Sequence, residues 1–440
     1  MKTLYVHLGQ QKTGSTTLQR FCAINRETLG AHGVACPRMP FKYRYVTKAR
    51  NGHFLIGMPK NKAGKPAPER QHERENTAWQ VIEEAFETHD AVLLTDERLW
   101  DRSASEHPFW ERVMQHAEQG DWHVRAIVYL RRQDKLAASW YNQQVEQGGR
   151  TGTKPWELWV SNPRDIKLDF YANLQRIASY VGSDNISVRI YDRRELERDG
   201  GNIYTDFLSC LGLQMSEDFQ LPEHDHNAVS LTPNFQLLLR AINASPHHAR
   251  MGGDIFRQAA EQCSGQPGAT PRMAMFSAEE ARAFMVRYEE GNDRIAAEYL
   301  HREGPLFAMD FPEVQKWSAT NQWLWDDLLR YFHRVRELQN EQIAACDAGQ
   351  TAPEDTTPAP IATWLANLEP CEVREQDVYV HVASCLGELF LLRQNLLEAG
   401  RQLEPFDSAT LECLAQLLLM HARKLAKLHA ALEEATPPDA

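Results

Sequence analysis

Residues 4–21 read LYVHLGQQKTGSTTLQRF, and three kinds of chain follow one another within them. Leu4–Leu8 is an apolar run of strand length. Gly9 to Gly14 form a glycine-bounded turn with one lysine, Lys12. Thr16–Leu29 then takes up a helical spacing that sets Leu18, Phe21 and Cys22 toward one face. A turn between a strand's end and a helix's start presents free backbone N–H groups and the positive end of the helix dipole, so it favours an anion. Gly9 and Gly14 let the backbone curve closely around such a group, Lys12 adds a formal charge, and Ser15, Thr16 and Thr17 add hydroxyl donors. The nucleotide-triphosphatase pattern, GxxxxGK followed by Ser or Thr, is missed in one respect. The glycines have its spacing, but Ser15 stands at the lysine position and Lys12 lies inside the loop. The turn suits a phosphate but lacks the lysine that grips the β- and γ-phosphates of ATP.

Working outward, the same layout repeats. AVLLTDERLW (residues 91–100) is a buried strand ending at Thr95–Glu97. His123–Leu130 is another, with a helix from about Gln133, and Ile186–Tyr191 is a further strand. Helical spacing covers Ala78–Thr88, Asp165–Val181 and Ile203–Leu211. Strands alternating with helices predict an α/β fold, a parallel sheet with helices on both faces. Ligands of such sheets bind at the carboxyl ends of the strands, where these turns lie.

The chain has 440 residues and a net charge of -12, which disfavours nucleic-acid binding through the surface as a whole. Its eight cysteines form no CxxC pair or zinc-type spacing and read as reduced thiols. There is no apolar core of a signal peptide after Met1–Lys2 and no window of membrane-spanning length, so a cytoplasmic protein without a transmembrane segment is expected. Between Arg38 and Glu75 periodicity fails, with ten Lys/Arg against three Asp/Glu. This basic insertion, residues 38–75, is either a binding loop or lid, or a solvated surface loop. Toward the tail, residues 313–346 contain a helix whose Trp325, Leu328, Leu329, Phe332 and Val335 share a face. Residues 347–360 (DAGQTAPEDTTPAP) are a linker by composition. Residues 361–440 hold two helical stretches, Val378–Leu397 and Leu411–Leu432, expected to form a hairpin that packs on the main domain, a second copy or a partner.

A second anion-binding pattern lies in YLRRQDKLAASWYNQQ (residues 129–144). Arg131 follows directly on a strand, and Ser139 lies eight residues on, along the next helix. An arginine and a serine so placed can clamp another phosphate; alternatively Arg131 and Arg132 pair with surface acids and Ser139 is incidental. Two such sites suit a nucleotide phosphorylated at both ends.

At these residues the chain resembles the sulfotransferases that use 3′-phosphoadenosine 5′-phosphosulfate (PAPS). KTGSTTLQ (residues 12–19) is similar to their 5′-phosphosulfate loop, and Arg131 through Ser139 to their 3′-phosphate motif. HLGQQKTGSTTLQRFCAINRETLGAHGVACP, NAVSLTPNFQLLLRAIN and NDRIAAEYLHREGPLF resemble bacterial carbohydrate-type members. The resemblance runs over roughly residues 2–312, implies a sulfotransferase domain over 1–312 with the P-loop-like fold, and leaves out the tail. It implies that Lys12, Thr13, Gly14, Ser15, Thr16 and Thr17 wrap the 5′-phosphosulfate and that Arg131 and Ser139 bind the 3′-phosphate. Tyr191 is similar to a tyrosine beside the adenine, or else is a core aromatic. Gln133 departs from the proline of many relatives.

The implied reaction moves a sulfuryl group from PAPS to a hydroxyl, or to an amine, of a bacterial envelope or capsular glycan. Lys12 and the loop N–H groups would stabilise the growing charge, with no metal required. His53 (ARNGHFLIG) is taken as the general base and Glu97 (LLTDERL) as a second site residue; the alternatives are a surface histidine, and an ion pair with Arg98 or a loop lysine. Basic and aromatic residues of the insertion, such as Lys42, Arg44, Phe41 and Tyr43, suit a glycan or a lid over the nucleotide, and residues 148–159 suit the opposite wall. His224 and His226 read as a solvated polar loop rather than a metal site. Two rivals remain: a P-loop kinase, with Asp96 ending a strand as a magnesium ligand would, and a non-catalytic nucleotide-binding scaffold.

Overall fold

The computed structural model describes residues 2–148, 151–163, 166–198, 201–222, 230–244, 253–265, 273–318 and 321–347. Five apolar runs pair as one sheet: β1 (Thr3–Leu8), β2 (Val34–Ala35), β3 (Ala91–Asp96), β4 (His123–Leu130) and β5 (Ile186–Ile190). Their order is β2-β3-β1-β4-β5, and every pairing is parallel. The fold is α/β. Both faces of the sheet are covered, which is why β1 and β3 are nearly continuous apolar runs rather than alternating ones.

Six labelled helices accompany the first four strands: α1 (Ser15–Ile24), α2 (Arg26–Ala31), α3 (Pro68–Thr88), α4 (Leu99–Ser103), α5 (Phe109–Gly120) and α6 (Gln133–Gln147). On one face of the sheet Tyr5, Leu93, Ile127 and Tyr129 pack with Leu18 and Phe21 of α1 and with Phe207 and Leu208 of the helix Ile203–Cys210. Leu4, Val6 and Leu8 alternate with Tyr5 and are fully buried on the other face. His7 also lies in the core, 2.8 Å from Thr95 Oγ1, and burial lowers its pKa to about 4, so it is neutral at pH 7.

Three predicted boundaries shift, each for a local reason. The helix expected over Thr16–Leu29 is broken at Asn25, whose amide donates to Phe21 O and Gln220 O and competes with the helix ladder. The helix expected from Ala78 begins at Pro68, since proline at a first helical position initiates rather than breaks a helix. The helix expected from Asp165 begins at Phe170, where Asp169 accepts from Ala172 N at 3.0 Å and caps it.

The chain divides into two compact units: Met1–Trp140, Val160–Asn227 and Phe276–Glu313 form the first, with the sheet; Tyr141–Trp159, Ala228–Met275 and Val314–Ala440 form the second. In the second unit, Pro233–Ala244, Gly253–Gly265 and Leu324–Asp347 are helices around buried Phe235, Phe256, Leu328, Tyr331 and Val335. Asn234 there donates to Asp327 Oδ2 at 2.7 Å and accepts from Trp317 Nε1 at 2.7 Å. Residues 151–159 belong to this unit too. The expected hairpin over 361–440, the linker beyond Asp347, and His224 and His226 lie outside the described residues. Among the described residues, no helix is long and apolar enough to cross a membrane.

Candidate active site

β1 lies between β3 and β4, and the chain leaves β1 toward β2 but leaves β4 toward β5. The strand order therefore reverses between β1 and β4, and the crevice beyond their carboxyl ends is where open α/β sheets bind ligands. The loop of residues 9–14 stands on β1, and Arg131 follows the last residue of β4.

The loop's shape comes from its backbone. Gly9 N donates to Asp96 O at 3.0 Å, and a Cβ on Gly9 would lie 2.8 Å from Glu97 Cα. Lys12 and Gly14 both have left-handed backbone, with φ of 64° and 75°. Successive turns of this kind aim N–H groups into a concavity that suits an anion. Thr13 Oγ1 donates to Gln10 O at 2.6 Å, so this buried hydroxyl ties the loop to itself. No side chain caps the N-terminus of α1, and no acid stands in its first turn. Ser15 is buried there, Thr17 half-buried and Thr16 exposed.

Arg131 meets this loop directly. Its Nη1 donates to Lys12 O at 3.0 Å, and its backbone N donates to Gln10 Oε1 at 3.2 Å. Burial lowers the Arg131 pKa, the cost of holding a cation in a partly dry cleft. The Tyr191 ring lies 5.9 Å from the Arg131 guanidinium, and a Cβ on Gly14 would fall 2.9 Å from Tyr191 Cε2. Tyr191 thus packs against both sites. Arg132 has a different role: it is buried, paired with Asp134 at 2.8 Å, and donates to Ala308 O at 2.7 Å. Gln133 opens α6 with its amide bonded to Asn292 in both directions. Ser139 is half-buried on α6.

A second cluster stands at the end of β3. Asp96 is fully buried, and its Oδ1 accepts from Arg50 Nη2 at 2.9 Å and from Arg98 N at 2.8 Å. Its Oδ2 accepts from Arg50 Nε at 2.9 Å and faces His53 Nδ1 at 3.0 Å. Burial alone would raise the Asp96 pKa; hydrogen bonds from His53 and Arg50 outweigh it and hold the carboxylate below its ordinary value. A proton on His53 Nδ1 satisfies Asp96, which leaves Nε2 of the neutral ring as a proton acceptor. His53 is 11% exposed at its side chain, with the Tyr43 ring edge-on at 4.8 Å, so it is not a surface histidine. Glu97 Oε2 lies 3.8 Å from Arg50 Nη1. Burial raises its pKa, against the pull of Arg50 and Lys12. Glu97 thus faces Arg50 of the basic insertion and also feels the charges of Lys12 and Arg98.

Sequence reasoning missed the residues that tie the insertion to the sheet. Asn51 accepts from Thr95 N at 2.8 Å and donates to Leu93 O at 2.9 Å, while Gly52 N donates to Thr95 O at 3.1 Å. The insertion is pinned at β3, and Phe41, Lys42, Tyr43, Lys48, Arg50 and His53 line a small cavity of about 60 Å³. Also missed was Asp101, which accepts from Gln11 Nε2 at 2.9 Å and whose pKa burial pushes up to about 6. The only sequence sign for it was its place just after a strand end. Among the described residues, no group of three or more His, Cys, Asp or Glu is placed to hold a metal.

No family model matches the chain, and no curated protein matches it. Among solved structures, a sulfotransferase from Alicyclobacillus acidocaldarius is similar over 59% of this chain and 95% of that one, at 13% identity and a TM-score of 0.31.

Proposed function

We propose that the protein transfers a sulfuryl group from PAPS to a hydroxyl of a glycan acceptor. The observation that carries this reading is the 3.0 Å bond from the Arg131 guanidinium to the Lys12 carbonyl, which joins two anion-binding elements at one crevice. The loop N–H groups, Lys12 and the uncapped start of α1 suit the 5′ end of the nucleotide, and Arg131 with Ser139 suits a 3′-phosphate. A magnesium-dependent kinase is disfavoured, since the Asp96 carboxylate is engaged by Arg50, His53 and the backbone N–H of Arg98.

In the transfer, the bond from sulfur to the 5′-phosphate oxygen breaks as a bond from sulfur to the acceptor oxygen forms. Lys12 and the loop N–H groups stabilise charge on the departing phosphate and on the sulfonate oxygens. His53 Nε2 takes the acceptor's proton, with Asp96 holding the ring's tautomer and orientation; Glu97 sets the local field beside Lys12. The basic and aromatic side chains of the insertion next to His53 suit the surface of an acidic or hydroxyl-rich sugar.

Retention on immobilised 3′,5′-ADP tests the reading. Release by free 3′,5′-ADP and not by ATP with magnesium is expected; release by ATP instead would favour the kinase. Purified protein given PAPS and a glycan extract should also liberate 3′,5′-ADP, and tight nucleotide binding without turnover on any acceptor pool would point to a scaffold.

A further inference from the structure

Two neighbouring glutamines hold the loop of residues 9–14 from opposite sides. Gln10 Oε1 accepts from the backbone N of Arg131, the first residue after β4, at 3.2 Å. Gln11 Nε2 donates to Asp101 Oδ2 on α4, the helix after β3, at 2.9 Å. Since β1 lies between β3 and β4, the pair reaches both flanks of the crevice.

The chemistry of each bond is one-sided. A backbone N–H only donates, so Gln10 must turn its oxygen toward Arg131. Its Nε2 is then buried with no hydrogen-bond partner among the described residues, and Gln10 itself is 3% exposed. A buried amide with half of its capacity unused is costly, so what glutamine contributes here is that one acceptor. At Gln11 the roles reverse. Burial lifts the Asp101 pKa to about 6, so at neutral pH its acceptor is a carboxylate and the bond is charge-assisted.

Lys12 follows the two anchors, left-handed at φ 64°, with its carbonyl held by Arg131 Nη1 at 3.0 Å. The Gln10 carbonyl also accepts from the Thr13 hydroxyl at 2.6 Å. We propose that Gln10 and Gln11 are positioning residues, which hold the loop in its anion-binding shape before any ligand arrives. Gln10 sets the spacing between the loop and Arg131, and Gln11 ties the loop to the other flank. The nucleotide they serve rests on the sulfuryl-transfer reading. The clamp does not, since any oxyanion seated in the loop should feel it.

Full-length protein labelled with ¹³C at threonine carbonyls and ¹⁵N at glycine gives an NMR signal at each Thr–Gly pair. The pairs are Thr13–Gly14 and Thr151–Gly152, and Thr151→Ser identifies the second. The Gly14 signal is followed at neutral pH in titrations with inorganic sulfate and with 3′,5′-ADP, at an ionic strength held constant with chloride. Gln11→Met should raise both midpoints about two- to ten-fold, the worth of one hydrogen bond. Gln11→Glu combined with Asp101→Asn exchanges donor and acceptor at unchanged net charge. That double variant should return both midpoints to within about two-fold of the parent. Gln10→Met should raise the 3′,5′-ADP midpoint about ten-fold and the sulfate midpoint less, because only the bisphosphate needs the spacing to Arg131. A double variant no better than Gln11→Met overturns the Gln11 arm, and an equal rise for both ligands in Gln10→Met overturns the spacing role. Midpoints unmoved in both Met variants overturn the clamp. Should Gln10→Met fail to fold, the Gln11 series still decides whether the loop is held from outside. A parent signal that moves with sulfate and not with 3′,5′-ADP strikes the donor assignment, and the sulfate midpoints of the Gln11 series then decide the clamp. A signal that moves with neither overturns both.

Discussion

Lys12 combines the loop's formal charge with a left-handed backbone at φ 64°, a conformation costing about 1–2 kcal/mol for a residue with a side chain. Its carbonyl is held by Arg131 and its side chain acts on Glu97, so the strain has compensating contacts. Lys12→Ala is expected to lower kcat by about 10²–10³ at saturating PAPS while the fold persists. A kcat within a few-fold of the parent would remove Lys12 from the chemistry. Asp101 supports a different measurement. Burial raises its folded pKa to about 6, so the folded state holds that proton more tightly than the unfolded chain does. The resulting stability is present below the ordinary carboxylate range and is lost as pH rises through about 6. Asp101→Asn escapes that loss. Its urea midpoint relative to the parent should therefore be higher at pH 7 than at pH 4, and an equal difference at both would mean that Asp101 is not raised.

The β1–loop–α1 element depends on Gly14 for two reasons. Its φ of 75° disfavours any side chain, and a Cβ would fall 2.7 Å from Ile203 Cδ1 and 2.9 Å from Tyr191 Cε2. Gly14→Ala is expected to cost at least about 1 kcal/mol in urea unfolding and to weaken 3′,5′-ADP binding together with it. Unchanged binding in a destabilised protein would show that the turn does not shape the nucleotide site. This element is legible in residues 4–21 because its requirements are local: an apolar run, glycines at a turn, and a helical spacing. The insertion is legible only as a failure of periodicity. Its anchor is Asn51, whose bonds go to the backbone of β3 more than forty positions away in the chain. Pro68 reads as a breaker until it is seen at the start of α3.

At the scale of the sheet, β1 and β4 bring together residues 119 positions apart, Lys12 and Arg131. A ligand that bridges them should stabilise the folded chain by about 2.7 kcal/mol at a hundred times its Kd. Thermal melts with 3′,5′-ADP are expected to shift upward, and Arg131→Ala should lose most of that shift while keeping the smaller one caused by 5′-AMP. An equal loss with both nucleotides would mean that Arg131 supports the loop and reads no 3′-phosphate. The Arg131–Lys12 bond makes that outcome a real alternative, and Arg131→Lys separates charge from the guanidinium's geometry.

The sequence by itself determined the class of the fold, four of the five strands and the strand–turn–helix order around the loop, because side-chain period and turn composition are properties of neighbouring residues. It also placed His53 and Glu97 among the candidates by residue type. Tertiary structure alone decided that β1 lies between β3 and β4 and that Asp96 is a buried anchor for Arg50 and His53. Those facts arise from packing between segments far apart in the chain, and no local pattern of apolar and polar residues encodes which segments meet.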